Sequence, residues 1–376
     1  MRRAVSQAVH CVARGLSLAA MVLVLTVTLH GCFWATEPSN GDQPSAASRF
    51  WTLWNLAGTA ESVVKATVVA TDAVEEQVGD STELVTDTTL LVQEYIKGSG
   101  PSSVIVRALG GETSDYSIIA DGEPQFVPGE EVVVFVAHHG DGDPALAGRL
   151  GVVGAWEGKL TVVSGVVLEM GIDEEQLVDH IQAVLSGDST AAEPAFVPQA
   201  SSAPKGCQYL NYKWVTLPVN YYVNLGSLPS GAVNAAASTW NAVGSKFQLV
   251  ARGTTTKKNT SRDGANVVYA GNFGSTAKPA TTSVLVMTKA DKTRYISECD
   301  VRVNTYYSWC WCSSAKSLDL QSGMTHEFGH WVAFGDLTSS KESEMTMYWA
   351  MSNGETKKMT LEPSETAGLL MVYGKK

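Results

Sequence analysis

The chain has 376 residues, of which 44% are hydrophobic and 17% charged, so it is long enough for two ordinary globular domains and is not a disordered tail. Its net charge of −11 and the absence of clustered Lys and Arg argue against nucleic-acid binding, because phosphate contacts need concentrated positive charge. Residues 205–376 contain 18 Lys and Arg against 12 Asp and Glu, a net of +6, which leaves −17 for residues 1–204. The two halves either attract each other or simply carry differently charged solvated surfaces.

The first segment has the features of an export signal. Three arginines precede an apolar run, residues 16–29, that is too short to span a membrane comfortably. Leu29-His30-Gly31-Cys32 follows and resembles the bacterial lipobox, in which the cysteine is lipidated. We predict a lipoprotein-type signal peptide over residues 1–31, lipid attachment at Cys32, and an extracytoplasmic protein anchored to the membrane. An ordinary cleaved signal, which would give a secreted protein, and a retained anchor are the alternatives.

The next part of the chain is rich in β-branched residues. Residues 32–48 contain many Ser, Pro, Gly and Asn residues and are predicted to form a tether. Runs separated by Gly- and Pro-containing turns then predict a small all-β, barrel-like domain over residues 49–186; the runs are 63–71, 88–96, 104–109, 131–137 and 160–163. A Ser-, Ala- and Pro-rich linker over residues 187–206 marks the domain boundary.

Residues 207–376 alternate between strand and helix patterns and predict an α+β fold. The strand-like runs are 214–224, 247–250, 266–269, 282–287 and 296–304. Ser230 is the predicted N-cap of a first helix, because apolar residues recur on one face after it. Further helices are predicted over residues 318–334 and 362–373.

The motif His326-Glu327-Phe328-Gly329-His330 lies in the second of these helices. Residues four apart on a helix lie one turn above each other, so both imidazoles can reach one metal ion while Glu327 projects beside it. This arrangement predicts a Zn²⁺ cofactor bound by His326 and His330, with Glu327 as the general base that activates water. A chance pair of histidines at this spacing is the alternative.

A catalytic zinc site needs three protein ligands, and only two of the seven histidines lie in this half of the chain. In the metzincin pattern H-E-x-x-H-x-x-G-x-x-H, Asp336 stands where the third histidine is expected, and an Asp oxygen is an acceptable zinc ligand. Ala333 replaces the glycine of that pattern. A left-handed alanine costs about 1–2 kcal/mol, so Gly335 is an alternative site for the turn.

Several short segments, all between residues 207 and 374, resemble bacterial matrixin-type metalloproteases of the metzincin clan: Leu217-Pro218-Val219, Thr239-Trp240-Asn241, Asn266-Val267-Val268-Tyr269, Asp300-Val301-Arg302-Val303-Asn304 and Gly354-Glu355-Thr356-Lys357-Lys358. The resemblance implies a metzincin-like catalytic domain over residues 207–376, with a twisted mixed sheet and three helices. It also implies a methionine beneath the metal, for which Met347 is the first choice and Met345 the alternative. Glu342 and Glu344 lie near that turn and are rival candidates for the third ligand.

The resemblance further implies a zinc endopeptidase that hydrolyses peptide bonds and takes a polypeptide substrate. In this family an extended peptide lies antiparallel to an edge strand, whose unpaired backbone groups fix its direction. By position, that strand is Thr282, Ser283, Val284, Leu285, Val286 and Met287. A surface binding protein on a metzincin scaffold, with catalysis weakened by Ala333 and Asp336, is the alternative. Calcium sites and the oligomeric state do not follow from the sequence.

Four cysteines remain once Cys11 is removed with the signal peptide and Cys32 carries lipid: Cys207, Cys299, Cys310 and Cys312. An even number in an exported protein predicts two disulfides. A bridge across the single residue between the last two cysteines would close a tight loop, so Cys207 and Cys299 are each expected to pair with one of them. A thiolate metal site is the alternative, although a lone C-x-C lacks the usual spacing.

Overall fold

The computed structural model describes residues 52–78, 81–139, 145–188, 206–258, 262–275 and 277–376, which form a mixed α+β structure containing two eight-stranded sheets. The predicted signal peptide and tether, Cys32 and nearly all of the predicted 187–206 linker lie outside these residues. Within the described part of the chain, no helix is both long and apolar enough to cross a membrane.

The elements of residues 52–188 are, in chain order, α1 (Leu53–Thr59), β1 (Ser62–Val78), β2 (Ser81–Lys97), β3 (Ser103–Leu109), β4 (Gly111–Glu112), β5 (Tyr116–Ala120), β6 (Glu131–His138), β7 (Leu150–Val152), β8 (Lys159–Val163), β9 (Val166–Val167), β10 (Ile172–Asp173) and α2 (Glu174–Ser186). The first sheet has the order β10-β9-β8-β6-β1-β2-β3, with β7 added to β6, and all its pairings are antiparallel. All five predicted strand runs lie in this sheet. Among the described residues, no pairing joins β3 to β10 to close a barrel.

The elements of residues 206–376 are β11 (Gln208–Tyr209), β12 (Lys213–Trp214), β13 (Val219–Asn224), α3 (Ser230–Asn241), β14 (Leu249–Thr254), β15 (Val267–Gly271), β16 (Ala280–Thr288), β17 (Arg294–Asn304), β18 (Trp309–Cys310), β19 (Leu318–Asp319), α4 (Leu320–Trp331), β20 (Phe334–Gly335) and α5 (Pro363–Tyr373). Helix α3 begins one residue earlier than predicted, because Pro229 and not Ser230 is its N-cap.

The second sheet combines strands from both halves of the chain. Its order is β14-β13-β15-β17-β16-β5-β4, with β12 also paired to β17. The pairings among β12, β13, β14, β15 and β17 are parallel, whereas β16 runs antiparallel to β17 and β5 runs antiparallel to β16. Strands β4 and β5 therefore come from the N-terminal half of the chain but belong to the second sheet.

Helix α4 is buried between the second sheet and α3. The Asp319 side chain caps its first turn by accepting a hydrogen bond from Ser322 N at 2.7 Å. Trp240 of α3 donates through Nε1 to Thr325 O at 2.8 Å, and the rings of Tyr221 and Phe328 lie 5.5 Å apart. This packing fixes the helix that carries the His-Glu-His motif.

The predicted disulfide pairing is wrong. Cys310 is bonded to Cys312, and their Cα atoms are 5.4 Å apart, within the ordinary range for a disulfide. The bend after β18 makes the short loop possible, and Cys312 N donates to the α4 cap residue Asp319 at 3.0 Å. Cys299 is a free thiol buried in β17. Cys207 is disulfide-bonded, but to none of these three cysteines.

Candidate metal centre

Helix α4 presents both histidines of the motif toward one point. His326 and His330 are buried, and their Nε2 atoms lie 3.2 Å apart. The Nδ1 atom of His326 is 2.7 Å from Thr346 O, and that of His330 is 2.8 Å from Phe334 O. Because a carbonyl oxygen only accepts, each Nδ1 carries the proton. When both rings are neutral, each turns the lone pair of Nε2 toward the other, an arrangement that a cation between them would stabilise.

The chain turns back toward the histidines at Ala333. This residue has a left-handed φ of 72°, and it ends α4 earlier than the predicted 318–334 range. The alternative of a turn at Gly335 is wrong, because Gly335 belongs to β20 and pairs with Gln208 of β11. That pairing delivers the next residue, Asp336, to the site.

Asp336 completes a group of three potential ligands. Its Oδ1 lies 3.3 Å from His326 Nε2 and 3.6 Å from His330 Nε2. Zinc bonds of 2.0–2.2 Å in a tetrahedron place neighbouring ligand atoms about 3.3–3.6 Å apart. The three separations, 3.2, 3.3 and 3.6 Å, agree with these edges to within about 0.1 Å. The three residues form a potential metal-binding group whose ligand atoms all lie within 4.8 Å of one another. The donor set of two imidazoles and one carboxylate fits a catalytic zinc ion, although it also suits other divalent transition metals.

Glu327 lies beside this group and is fully buried. Its Oε2 accepts a hydrogen bond from the Thr282 hydroxyl at 2.5 Å, while no hydrogen bond reaches its Oε1 from any residue that the structure describes. Burial raises the pKa of Glu327 to about 7, with Asp121 adding to the effect and His330 opposing it. A carboxyl group with this pKa can exchange a proton near neutral pH.

The surroundings shift the other ionisable groups strongly. Burial lowers the pKa of His326 well below its usual range, and Lys358 acts in the same direction. Burial also raises the pKa of Asp336 well above its usual range. Burial opposes protonation of His330, but Asp121, Asp336, Glu327 and the hydrogen bond to Phe334 O together raise its pKa. Such opposed shifts within one cluster are typical of functional sites.

Met347 lies directly beneath α4. A Cβ atom added to Gly329, between the two histidines, would overlap Met347 Sδ. The turn around Met347 is held by Leu337 N, which donates to Met347 O at 2.8 Å, and by Glu365, which accepts from Met347 N at 2.8 Å. Met345 is only partly buried and contacts Ser364 instead.

The rival ligands have other partners. Glu342 accepts a hydrogen bond from Gly206 N at 3.1 Å. The side chain of Glu344 is 77% exposed and lies 3.3 Å from Lys357 Nζ. Neither glutamate belongs to a potential metal-binding group among the residues described.

The predicted edge strand is present but is not an edge. Residues 282–287 lie in β16, and β5 pairs with them in an antiparallel ladder that runs from Ser283 opposite Ala120 to Met287 opposite Tyr116. The prediction considered only the strands of residues 207–376, whereas the pairing strand comes from the N-terminal half. Asp121, directly after β5, then enters the metal site, with Oδ2 3.6 Å from His330 Nε2.

Sequence reasoning missed three side chains at the site: Asp121, Thr282 as the partner of Glu327, and the buried Lys358. Of these three, only Lys358 could have been noticed in the sequence, because it lies in the Gly354-Glu355-Thr356-Lys357-Lys358 segment that supports the resemblance. A scan against family models and a search of curated proteins find no match to this chain.

Proposed function

We propose that the protein is a zinc-dependent endopeptidase with a metzincin-like catalytic domain over residues 207–376. The observation that carries the proposal is the convergence of His326, His330 and Asp336 at the edge lengths of a metal tetrahedron, with buried Glu327 beside them. The mixed second sheet, the three helices α3, α4 and α5, and Met347 beneath α4 agree with the matrixin resemblance.

A bound zinc ion would supply Lewis-acid chemistry that polarises a peptide carbonyl and acidifies a water molecule. The residues of the chain would do the rest. The carbonyls of Thr346 and Phe334 hold the two imidazoles in the tautomer that leaves Nε2 available. The Thr282 hydroxyl occupies Oε2 of Glu327, which leaves Oε1 to receive a proton and pass it to the departing amine.

The proposed export signal places this activity outside the cytoplasm, on a lipid-anchored or secreted protein. The alternative is a surface binding protein that keeps the scaffold without catalysis. The presence of Glu327 favours the enzyme, because a buried carboxyl group is costly and a binding scaffold has no need of it.

The test is replacement of Glu327 by Ala in the full chain. We expect peptide hydrolysis to be lost while zinc content, measured by elemental analysis, stays at one ion per chain, because Glu327 is assigned as base and not as ligand. Glu344→Ala, at an exposed glutamate of the same half, should change neither quantity. Full activity of Glu327→Ala would overturn the proposed mechanism, and a wild-type protein that binds no zinc would overturn the proposed function.

A further inference from the structure

The disulfide between Cys310 and Cys312 closes a loop around a single residue. Cys312 is exposed and Cys310 is half-buried, so a reagent in solution can reach this bond. A disulfide stabilises a fold mainly by closing a long loop of the unfolded chain, and this loop is very short. Its contribution to global stability is therefore small, and its contacts indicate a local role instead.

The disulfide loop is bonded to the start of α4. Cys310 lies opposite Asp319 in the short β18–β19 pairing. The Asp319 carboxylate accepts a hydrogen bond from Cys312 N at 3.0 Å through Oδ2 and one from Ser322 N at 2.7 Å through Oδ1. A single side chain thus connects the disulfide loop with the first turn of the helix that carries the His-Glu-His motif.

Trp311, the residue between the two cysteines, contacts both helices of this region. Its Nε1 donates to Gln321 Oε1 at 2.9 Å, in the first turn of α4. A Cβ atom added to Gly231, in the first turn of α3, would lie 2.8 Å from the Trp311 ring. The ring is nevertheless 49% exposed. The disulfide loop therefore holds the first turns of α3 and α4 from the surface of the molecule.

We propose that Cys310–Cys312 is a redox-active disulfide that exchanges with a small-molecule thiol, and that its reduction loosens the first turn of α4. Exposed disulfides are more easily reduced than structural ones, and the easily reduced disulfides are those that serve in regulation or catalysis. The exchange needs neither zinc nor a peptide, so it is independent of the proposed hydrolysis.

The exchange takes place in two steps. A thiolate attacks Sγ of Cys312, the more exposed cysteine, and the bond to Cys310 breaks, so that Cys310 leaves as a thiolate and takes a proton from water. A second thiolate then attacks the small-molecule sulfur of the mixed disulfide and releases Cys312, which is protonated in turn. Two small-molecule thiols are oxidised to one disulfide, and their two electrons reduce the protein disulfide to two thiols.

The exchange is tested on the full chain with reduced glutathione as the probe, followed by alkylation and mass mapping. We expect Cys310 and Cys312 to be alkylated at least roughly tenfold faster than Cys299. Cys299 is the internal control, because this buried free thiol becomes reactive only when the structure opens. Alkylation of all three cysteines at one rate would show that the disulfide is reduced only through unfolding, and would overturn the proposal. Resistance of the disulfide to glutathione would overturn it as well.

The coupling to α4 is tested by hydrogen exchange of the Ser322 amide before and after the same treatment. We expect exchange to be roughly two- to thirtyfold faster in the reduced protein, because the loop no longer holds Asp319 as the cap. Cys310→Ser/Cys312→Ser is the control variant and should exchange at the faster rate with or without glutathione. Equal exchange in the oxidised and reduced wild type would overturn the coupling. A glutathione effect of the same size in the double variant would place its cause elsewhere and would also overturn the coupling.

Discussion

Loss of Asp336 should weaken zinc binding far more than it weakens the fold. Zinc sites with four protein ligands bind with about 10–16 kcal/mol, so one ligand corresponds to roughly 3 kcal/mol, or a factor of about a hundred in affinity. Asp336 Oδ1 lies 3.3 Å from His326 Nε2 and 3.6 Å from His330 Nε2, so the carboxylate already stands at the spacing of a third ligand. We therefore expect Asp336→Ala to bind zinc about a hundredfold more weakly, and Asp336→His to keep useful affinity.

The assay is competition for zinc with a chelator of known affinity, run on the full chain. Glu342→Ala and Glu344→Ala are the controls, because both remove a carboxylate near the turn at Met347 without touching the ligand group. Thermal unfolding of the metal-free proteins separates loss of a ligand from loss of structure. Burial raises the pKa of Asp336, so its charge costs stability without metal, and metal-free Asp336→Ala should unfold no earlier than wild type.

Two results would refute this assignment. One is unchanged zinc affinity in Asp336→Ala together with a loss in Glu342→Ala or Glu344→Ala, which would place the third ligand on the rival residues. The other is a metal-free Asp336→Ala protein that unfolds well below the wild type, since the loss of zinc would then follow from a damaged fold.

Two further predictions concern stability. Burial raises the pKa of Glu298 to about 7, so the folded protein holds a proton that the unfolded chain releases above its usual value of 4.5, and stability falls as the pH rises between these values. Glu298→Gln should therefore raise the free energy of unfolding by roughly 1–3 kcal/mol at pH 8 and hardly at pH 4, measured by urea denaturation; equal effects at both pH values would exclude this cause. Ala333 has a left-handed φ, so Ala333→Gly should change stability by less than about 1 kcal/mol, whereas Ala333→Val should lower it by roughly 2 kcal/mol or more and weaken zinc binding. A stable, zinc-replete Ala333→Val protein would contradict the importance of this turn.

Local patterns could be read from the sequence because helical geometry alone determines them. The spacing of His326 and His330 requires only a helix to bring the imidazoles together, and α4 supplies it. The six-residue interval from His330 to Asp336 is also enough to predict the third ligand. The left-handed residue Ala333 and the two residues of β20 return the chain to the histidines over this distance. The tautomers of the rings were not predictable, because their partners Thr346 O and Phe334 O are backbone atoms.

Long-range pairings could not be read in this way. Strand β5 is only five residues long, and nothing in the sequence near Tyr116 or Ala120 indicates that its partner lies more than 160 residues away. The prediction of the disulfide pairing was wrong for a related reason. The spacing of Cys310 and Cys312 argues against a bridge only if the backbone between them is extended, and the chain bends there instead.

The use of a carboxylate as third ligand changes the charge of the whole site. An imidazole is neutral, whereas Asp336 adds a second buried negative charge beside Glu327, and uncompensated charges of this kind cost several kcal/mol. The fully buried Lys358 offsets part of this cost, because its positive charge opposes the rise in the pKa of Asp336. Burial in turn lowers the pKa of Lys358 to about 8, with Glu355 and Asp336 opposing that fall. Asp336 and Lys358 therefore each favour the charged form of the other. A neutral imidazole at position 336 would remove this attraction, and the pKa of Lys358 would fall further.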